Sequence, residues 1–249
     1  MSMINKRSNR LDTDLTIKEE SGINRPPGDS FATSLRGFGP VGILAIVVII
    51  IAGNVSFGRI VAPVGAILVL LWVRWSHTPW QEIGYIRPKS WIGSLALGVL
   101  FGILFKLIMK AVVMPLLGAD PINQAYHYLA GNTSMLPVAI WAMLVAGFGE
   151  ETVFRGWMFE RLGKLTGHTK WAKILIVVIT SLVFGWGHYF NQGFPGVQHA
   201  FIVGLVFGSV FAVTGRIFML MVAHAAFDLT ALAIIYWDME YDVAHFIFK

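Results

Sequence analysis

Three short polar groups interrupt the apolar second half of this chain. They are Glu150-Glu151-Thr152-Val153-Phe154-Arg155, Phe184-Gly185-Trp186-Gly187-His188 and His224-Ala225-Ala226-Phe227-Asp228. Of fourteen acidic residues, Glu150, Glu151 and Asp228 lie well inside runs long enough to cross a bilayer. Of seven histidines, His188 and His224 are the most clearly inside such runs. A carboxylate at membrane depth costs several kcal/mol on most scales, so intramembrane ionisable residues are rare and point to function. Two side by side are hard to explain as packing.

Each group suggests its own chemistry. On a helix, Glu151 and Arg155 are four residues apart and share a face, so they can pair and lower each other's cost. Glu150 points about 100° away and has no local cation. An enclosed carboxylate of that kind suits general acid or base work. The bland reading of Glu151 and Arg155 is a buried ion pair that braces the helix. Glycines beside His188 allow close backbone approach or a local helix break. Alone, that histidine could equally bond a neighbouring helix. His224 and Asp228 share a face; they could orient each other, ligate a metal or hold a substrate oxygen. An interhelical polar clamp is the alternative.

The elements that position these groups follow from composition. With 56% hydrophobic residues, 13% charged residues and a mean hydropathy of +0.67, the chain reads as all-α, a polytopic membrane helix bundle. Continuous apolar runs exclude an outer-membrane barrel, which needs short alternating segments. The chain has no cysteine, which removes disulfides, thiolate catalysis, Cys-ligated zinc and lipidated cysteine. Seven spans are expected: 38–55, 60–75, 91–117, 135–162, 171–190, 196–213 and 217–237. The first, second and sixth are short against the ~20 residues of a normal span. The link between the first two could instead be a re-entrant turn.

Residues 1–36 are expected to form a disordered cytoplasmic tail, and 37–249 the transmembrane helical domain. The tail lacks an apolar stretch behind a basic start, so no cleavable signal peptide is expected. With the N-terminus inside, fourteen lysines and arginines fall in inside segments and two, Arg59 and Lys249, outside. That asymmetry favours a cytoplasmic N-terminus and an outer C-terminus. It also accounts for the sequence pI near 9.6 without nucleic acid. A multi-pass protein of the plasma (inner) membrane is expected. Gly98-x-x-x-Gly102 and Gly204-x-x-x-Gly208 predict close helix approach. Lys106 and Lys110 share a face of the third span and are read as snorkelling outward, with a contact to the site as the alternative. His77, His127, His168 and His245 read as ordinary loop or tail histidines, and His199 as a residue near an outer span end.

Together the three groups resemble the CPBP intramembrane protease family, which includes type II CAAX prenyl endopeptidases and bacteriocin-immunity proteins. The family pattern is Glu-Glu-x-x-x-Arg, Phe-x-x-x-His and His-x-x-x-Asn or Asp on successive helices. All three occur here in order, and the family-like core spans about 135–237. The stretch from Trp80-Gln81-Glu82-Ile83-Gly84 to Trp91 is similar to the family's link before that core. The resemblance implies an intramembrane endopeptidase acting on a membrane-associated or lipidated protein, with Glu150 and His188 activating water. It puts His224 and Asp228 at the oxyanion or a metal, with Glu151 and Arg155 in support. An asparagine in the last position donates a hydrogen bond outright, whereas Asp228 donates only when protonated.

Two versions of that chemistry stay open. A zinc version uses His188, His224 and one carboxylate, with a fourth position for water. A metal-free version uses Glu150 and His188 as bases. The implied partners are a protein or peptide substrate and the lipid bilayer. A non-catalytic immunity or scaffolding protein is the main alternative, and a small proton-coupled carrier the third. A carrier should show broken helices in repeated halves, and no such symmetry is visible. No His-Glu-x-x-His or Gly-x-Ser-x-Gly occurs. One discordance needs resolving. At ~1.5 Å per residue from the inside ends, His224 lies about 10–13 Å deep, Glu150 about 18 Å and His188 about 25 Å. Tilt, a helix break at Gly185 or Gly187, or a misplaced boundary must bring them together.

Overall fold

The computed structural model describes residues 27–53 and 64–248, and among these the secondary structure is entirely helical. We number the helices α1 (Pro27–Arg36), α2 (Pro40–Gly53), α3 (Val64–Trp75), α4 (Trp91–Leu116), α5 (Thr133–Thr166), α6 (Lys170–Gly187), α7 (Tyr189–Thr214), α8 (Phe218–Tyr236) and α9 (Glu240–Ala244). Helices α4 to α8 are each long and apolar enough to cross a membrane. They correspond to the last five expected spans. The first two expected spans are helical over Pro40–Gly53 and Val64–Trp75, and their remaining residues 54, 55 and 60–63 lie outside the described residues. α1 and α2 meet at a 55° bend and together pass the same test of length and apolarity, whereas α3 has twelve residues. The tail expected over 1–36 lies outside the described residues as far as residue 26, and from Pro27 onward it is helical. Ala32 and Leu35 of α1 are buried.

α8 is the centre of the bundle. From Leu220 to Phe227 every consecutive residue is buried, so the helix is enclosed on all sides rather than along one stripe. Small side chains at Ala223, Ala225 and Ala226 let neighbours approach. α4 and α5 pack on α8, and α6 packs on α7. The glycines of α4 show how close the approach is. A Cβ on Gly102 would lie 2.1 Å from the Ala223 carbonyl oxygen, and one on Gly98 would lie 2.8 Å from the Met219 carbonyl. Gly147 of α5 seats against the Ala225 backbone nitrogen, 2.5 Å from a Cβ built there. Gly204 of α7 sits on Ser181 of α6 in the same manner. Both small-residue stripes therefore mark helix contacts.

A larger side chain at Gly102 must push α8 off α4, because the obstacle is backbone and has no rotamer to change. Overpacking typically costs about 1–3 kcal/mol, and Gly102→Val is expected at or beyond the upper end. Thermal size-exclusion profiles should show a lower melting temperature for Gly102→Val. Leu100→Ala on the exposed face of the same helix should change it little. Equal effects of the two would contradict this packing.

Two π-helical turns interrupt the rods, Met109–Val113 in α4 and Thr152–Trp157 in α5. Such turns shift side chains out of the α-helical register and are common at functional sites. The second begins directly after Glu151. The link Trp80–Ile83 ends at Gly84, whose φ of +82° suits glycine. Its carbonyl accepts from Ile217 N at 3.1 Å, tying the link to the start of α8. Tyr85 reaches the π turn of α5 through Thr152 Oγ1 at 2.8 Å. The link is thus wedged beneath the glutamates.

Candidate active site

The helices around the site end differently from the expected spans. The last part of α5, Met158–Thr166, is amphipathic and runs alongside the link and α6. Lys164 pairs with Glu82 at 3.0 Å, Glu82 pairs with Arg36 at 2.8 Å, and Arg161 bonds the Arg36 carbonyl and Glu160. This charged end extends past the apolar part of the rod, so the end of α5 at Thr166 is not the end of its apolar stretch. In addition, α6 ends at Gly187, three residues before the expected Phe190, and His188 stands at the junction with α7. The helical path breaks a second time at Gly193.

His224 is the hub. Its Nδ1 lies 2.7 Å from Glu151 Oε1; a carboxylate accepts, so Nδ1–H donates and the ring is oriented. Glu151 Oε1 also accepts from Arg155 Nη1 at 2.8 Å. The opposite edge of the ring, Nε2, faces Glu150 Oε2 at 3.6 Å and Asp228 Oδ2 at 3.7 Å. Those separations are longer than hydrogen bonds. They form an open polar face rather than a closed network. Burial divides the group in two. The side chains of Glu151, Arg155 and His224 are at most 5% exposed, whereas Glu150 and Asp228 are 33% and 22% exposed. The sealed trio supports, and the two outer carboxylates face open space.

Arg155 is held on two further sides, with its guanidinium 4.8 Å from the Phe184 ring centre and 5.7 Å from Phe207. Cation–π contacts of this kind stabilise a desolvated cation. Phe184, the first residue of the second motif, is buried among Phe154, His188 and His224. Its role is to carry His188. The Phe184 carbonyl accepts from His188 Nδ1 at 2.9 Å. This fixes the tautomer and leaves the Nε2 lone pair free. His188 makes no hydrogen bond to Glu150 or His224 among the described residues, but it lies in electrostatic range of Asp228, as do Glu150 and Lys106. All six expected site residues therefore gather around α8.

Among the described residues no group of three His, Asp or Glu side chains is arranged to hold a metal ion. The zinc set drawn from the sequence needs both histidines on one centre. Here Nε2 of His224 faces two carboxylates, while Nδ1 of His188 is engaged by a backbone carbonyl. With His188 left only its Nε2 as a possible ligand, the two histidines and a carboxylate are not grouped around one centre among the described residues.

Several residues near the site carry no sequence motif. Tyr126, in the loop before α5, packs on Leu129, Ala139, Leu232 and Ile235. Its phenol is pushed up to about 12, first by burial and then by the Asp228 and Glu150 carboxylates. It is thus a neutral hydrogen-bond donor at ordinary pH, in reach of Gln192. Lys106 and Lys110, expected to snorkel outward, turn inward instead. Lys106 Nζ is 3.3 Å from His199 Nε2, and Lys110 Nζ is 3.5 Å from Glu240 Oε1. His127 also departs from the ordinary loop reading, with Nδ1 3.0 Å from the buried Glu240.

An all-helical bundle with a polar cluster enclosed by its apolar rods is the architecture of an intramembrane enzyme or carrier site. A family model, that of the type II CAAX prenyl endopeptidase Rce1-like proteins, matches residues 132–230. The matched segment contains all six expected site residues. Neither the comparison with curated proteins nor that with solved structures gave a match. The family is one of membrane proteases, and five apolar rods fit a multi-pass integral membrane protein.

Proposed function

We propose that this protein is an intramembrane endopeptidase that hydrolyses a peptide bond in a prenylated or otherwise membrane-associated protein. The observation that carries the reading is the convergence of Glu150, Glu151 and Asp228 on one buried histidine, each within 3.7 Å. Three carboxylates around an imidazole at membrane depth have no economical role in packing. They do have one in water activation.

In this reading, the exposed Glu150 accepts a proton from a water held beside it, with the free Nε2 of His188 as the second base. The hydroxide attacks the peptide carbonyl carbon, and the developing oxyanion accepts hydrogen bonds from a protonated His224 Nε2 or Asp228. The proton taken by Glu150 then passes to the leaving amine. Glu151 and Arg155 hold His224 so that its donor points where charge develops, which is the efficient form of electrostatic catalysis. The basic-residue asymmetry supports a cytoplasmic N-terminus and seven spans, with α2 and α3 as the two short ones.

The test uses purified full-length protein in lipid nanodiscs and a peptide ending in a prenylated CAAX sequence. The expected result is one internal cleavage. In H2 18O, one heavy oxygen should enter the new carboxylate. If no such peptide is cut, and Glu150→Gln matches wild type in cells, the scaffolding or immunity reading replaces this one. A metal-free mechanism further predicts that 1,10-phenanthroline leaves the rate unchanged. Loss of activity on chelation, restored by one equivalent of zinc, would return the zinc version.

A further inference from the structure

We infer that Tyr126, on residues 117–132 between α4 and α5, is a further residue of the site. Its hydroxyl donates to the reacting peptide oxygen, and Glu240 is the positioning residue that holds it there. The role of the hydroxyl rests on the peptidase reading and deepens it, whereas the hold of Glu240 does not depend on it. Both residues lie outside the segment 132–230 that matches the protease family.

The hold is made from a buried acid. Glu240 of α9 is 1% exposed, and a carboxylate so enclosed is stable only with donors around it. Its Oε1 accepts the Asn123 N–H at 2.8 Å, and its Oε2 accepts His127 Nδ1–H at 3.0 Å. Lys110 supplies the countercharge, 3.5 Å from Oε1, and donates as well to the Pro121 carbonyl. That lysine belongs to the π turn Met109–Val113 of α4, a turn type common at functional sites. Gly131 N donates to the Tyr236 carbonyl at 2.9 Å, which ties the far end of the segment to the end of α8. The contacts to Asn123 and Pro121 go to backbone atoms, so they fix the path of the chain rather than one side chain. Bracing alone would account for these contacts, but not for what they deliver.

Between the anchors the chain turns, with the N–H groups of Tyr126 and His127 both donating to the Asn123 carbonyl. Tyr126 packs against the cluster that holds Ala139 of α5 and Leu232 and Ile235 of α8. Ala139 precedes Glu150 by eleven residues, about three turns. Leu232 and Ile235 follow Asp228 by four and seven. These spacings put the ring between α5 and α8, on the faces that carry the two outer carboxylates. Its phenol lies in electrostatic range of Asp228 and Glu150 and in reach of Gln192. The Gln192 N–H donates to the His188 carbonyl at 3.0 Å, so the hydroxyl stands among all three parts of the open face. Glu150 and Asp228 offer only acceptors when ionised, whereas the neutral phenol is a donor. What a donor fits in such a place is an oxygen gaining negative charge, which the tetrahedral intermediate of peptide hydrolysis supplies.

The experiment uses full-length protein in nanodiscs and two readouts. Hydrogen–deuterium exchange followed by mass spectrometry reads the hold without any substrate. Glu240→Gln should raise exchange across 117–132 by about tenfold while leaving α6 unchanged. Tyr126→Phe keeps the ring and should leave both unchanged. Turnover of a prenylated CAAX peptide reads the hydroxyl. Tyr126→Phe should lower kcat by about 10²-fold, the lower end for losing one oxyanion donor, with KM shifted by roughly twofold at most. Glu240→Gln should lower kcat as well, and the double variant should be no slower than Tyr126→Phe alone, since both act through one hydroxyl. Unchanged exchange in Glu240→Gln overturns the hold. A normal kcat in Tyr126→Phe, or a loss confined to KM, overturns the role of the hydroxyl. Losses that multiply in the double variant would make Glu240 a brace and overturn its positioning role. Absence of cleavage by wild type removes the peptidase reading and the hydroxyl's role with it, while exchange still decides the hold.

Discussion

Glu150→Gln is expected to lower cleavage by about 10²–10⁴-fold, the range a positioned general base contributes, while leaving the protein folded. The amide has nearly the shape of the carboxylate, but it cannot take a proton from water. The fold should tolerate the change because Glu150 is the partly exposed member of the group and bonds no backbone. Single-turnover rates on a prenylated peptide would measure the loss. Melting temperatures in matched detergent would check that the bundle is intact. A variant with normal turnover would remove Glu150 from the chemistry and leave His188 as the candidate base.

Arg155→Ala should act through stability instead. Arg155 is 1% exposed and bridges Glu151 to the aromatic face of Phe184 and Phe207. Removing one partner of a buried ion pair typically costs about 3–5 kcal/mol, because the other charge is stranded. Here Glu151 would keep only the His224 Nδ1–H bond at 2.7 Å among the described residues, so the imidazole would lose part of its anchor as well. The expected outcome is a large drop in thermal stability and yield. Glu151→Gln combined with Arg155→Met should be distinctly more stable than Arg155→Ala alone. A single variant as stable as wild type would show that the pair does not brace the bundle.

Much of the site was legible in the sequence because charge is so rare in these rods. Each intramembrane acid had to find a partner, and spacing alone gave Glu151 to Arg155 and His224 to Asp228. The hub role of His224 was not legible. A contact between residues 151 and 224 depends on how α5 and α8 cross, which Gly147 and Ala225 decide, and on the π turn after Glu151, for which the residues give no visible signal. Depth counting took its origin for Glu150 from the end of α5, but the last part of that helix, Met158–Thr166, is charged and amphipathic rather than apolar, so a helix end is a poor origin for depth. The lysines of α4 were misread because snorkelling is the ordinary fate of a lone cation. Their inward partners, His199 and Glu240, are far along the chain.

The most direct test of the central claim is a comparison of membrane-protein termini in cells carrying wild-type or Glu150→Gln protein. The account predicts at least one carboxyl terminus created by internal cleavage in the wild type and missing in the variant at equal expression. Identical sets of termini, with both proteins inserted and equally able to support the cell, would contradict it.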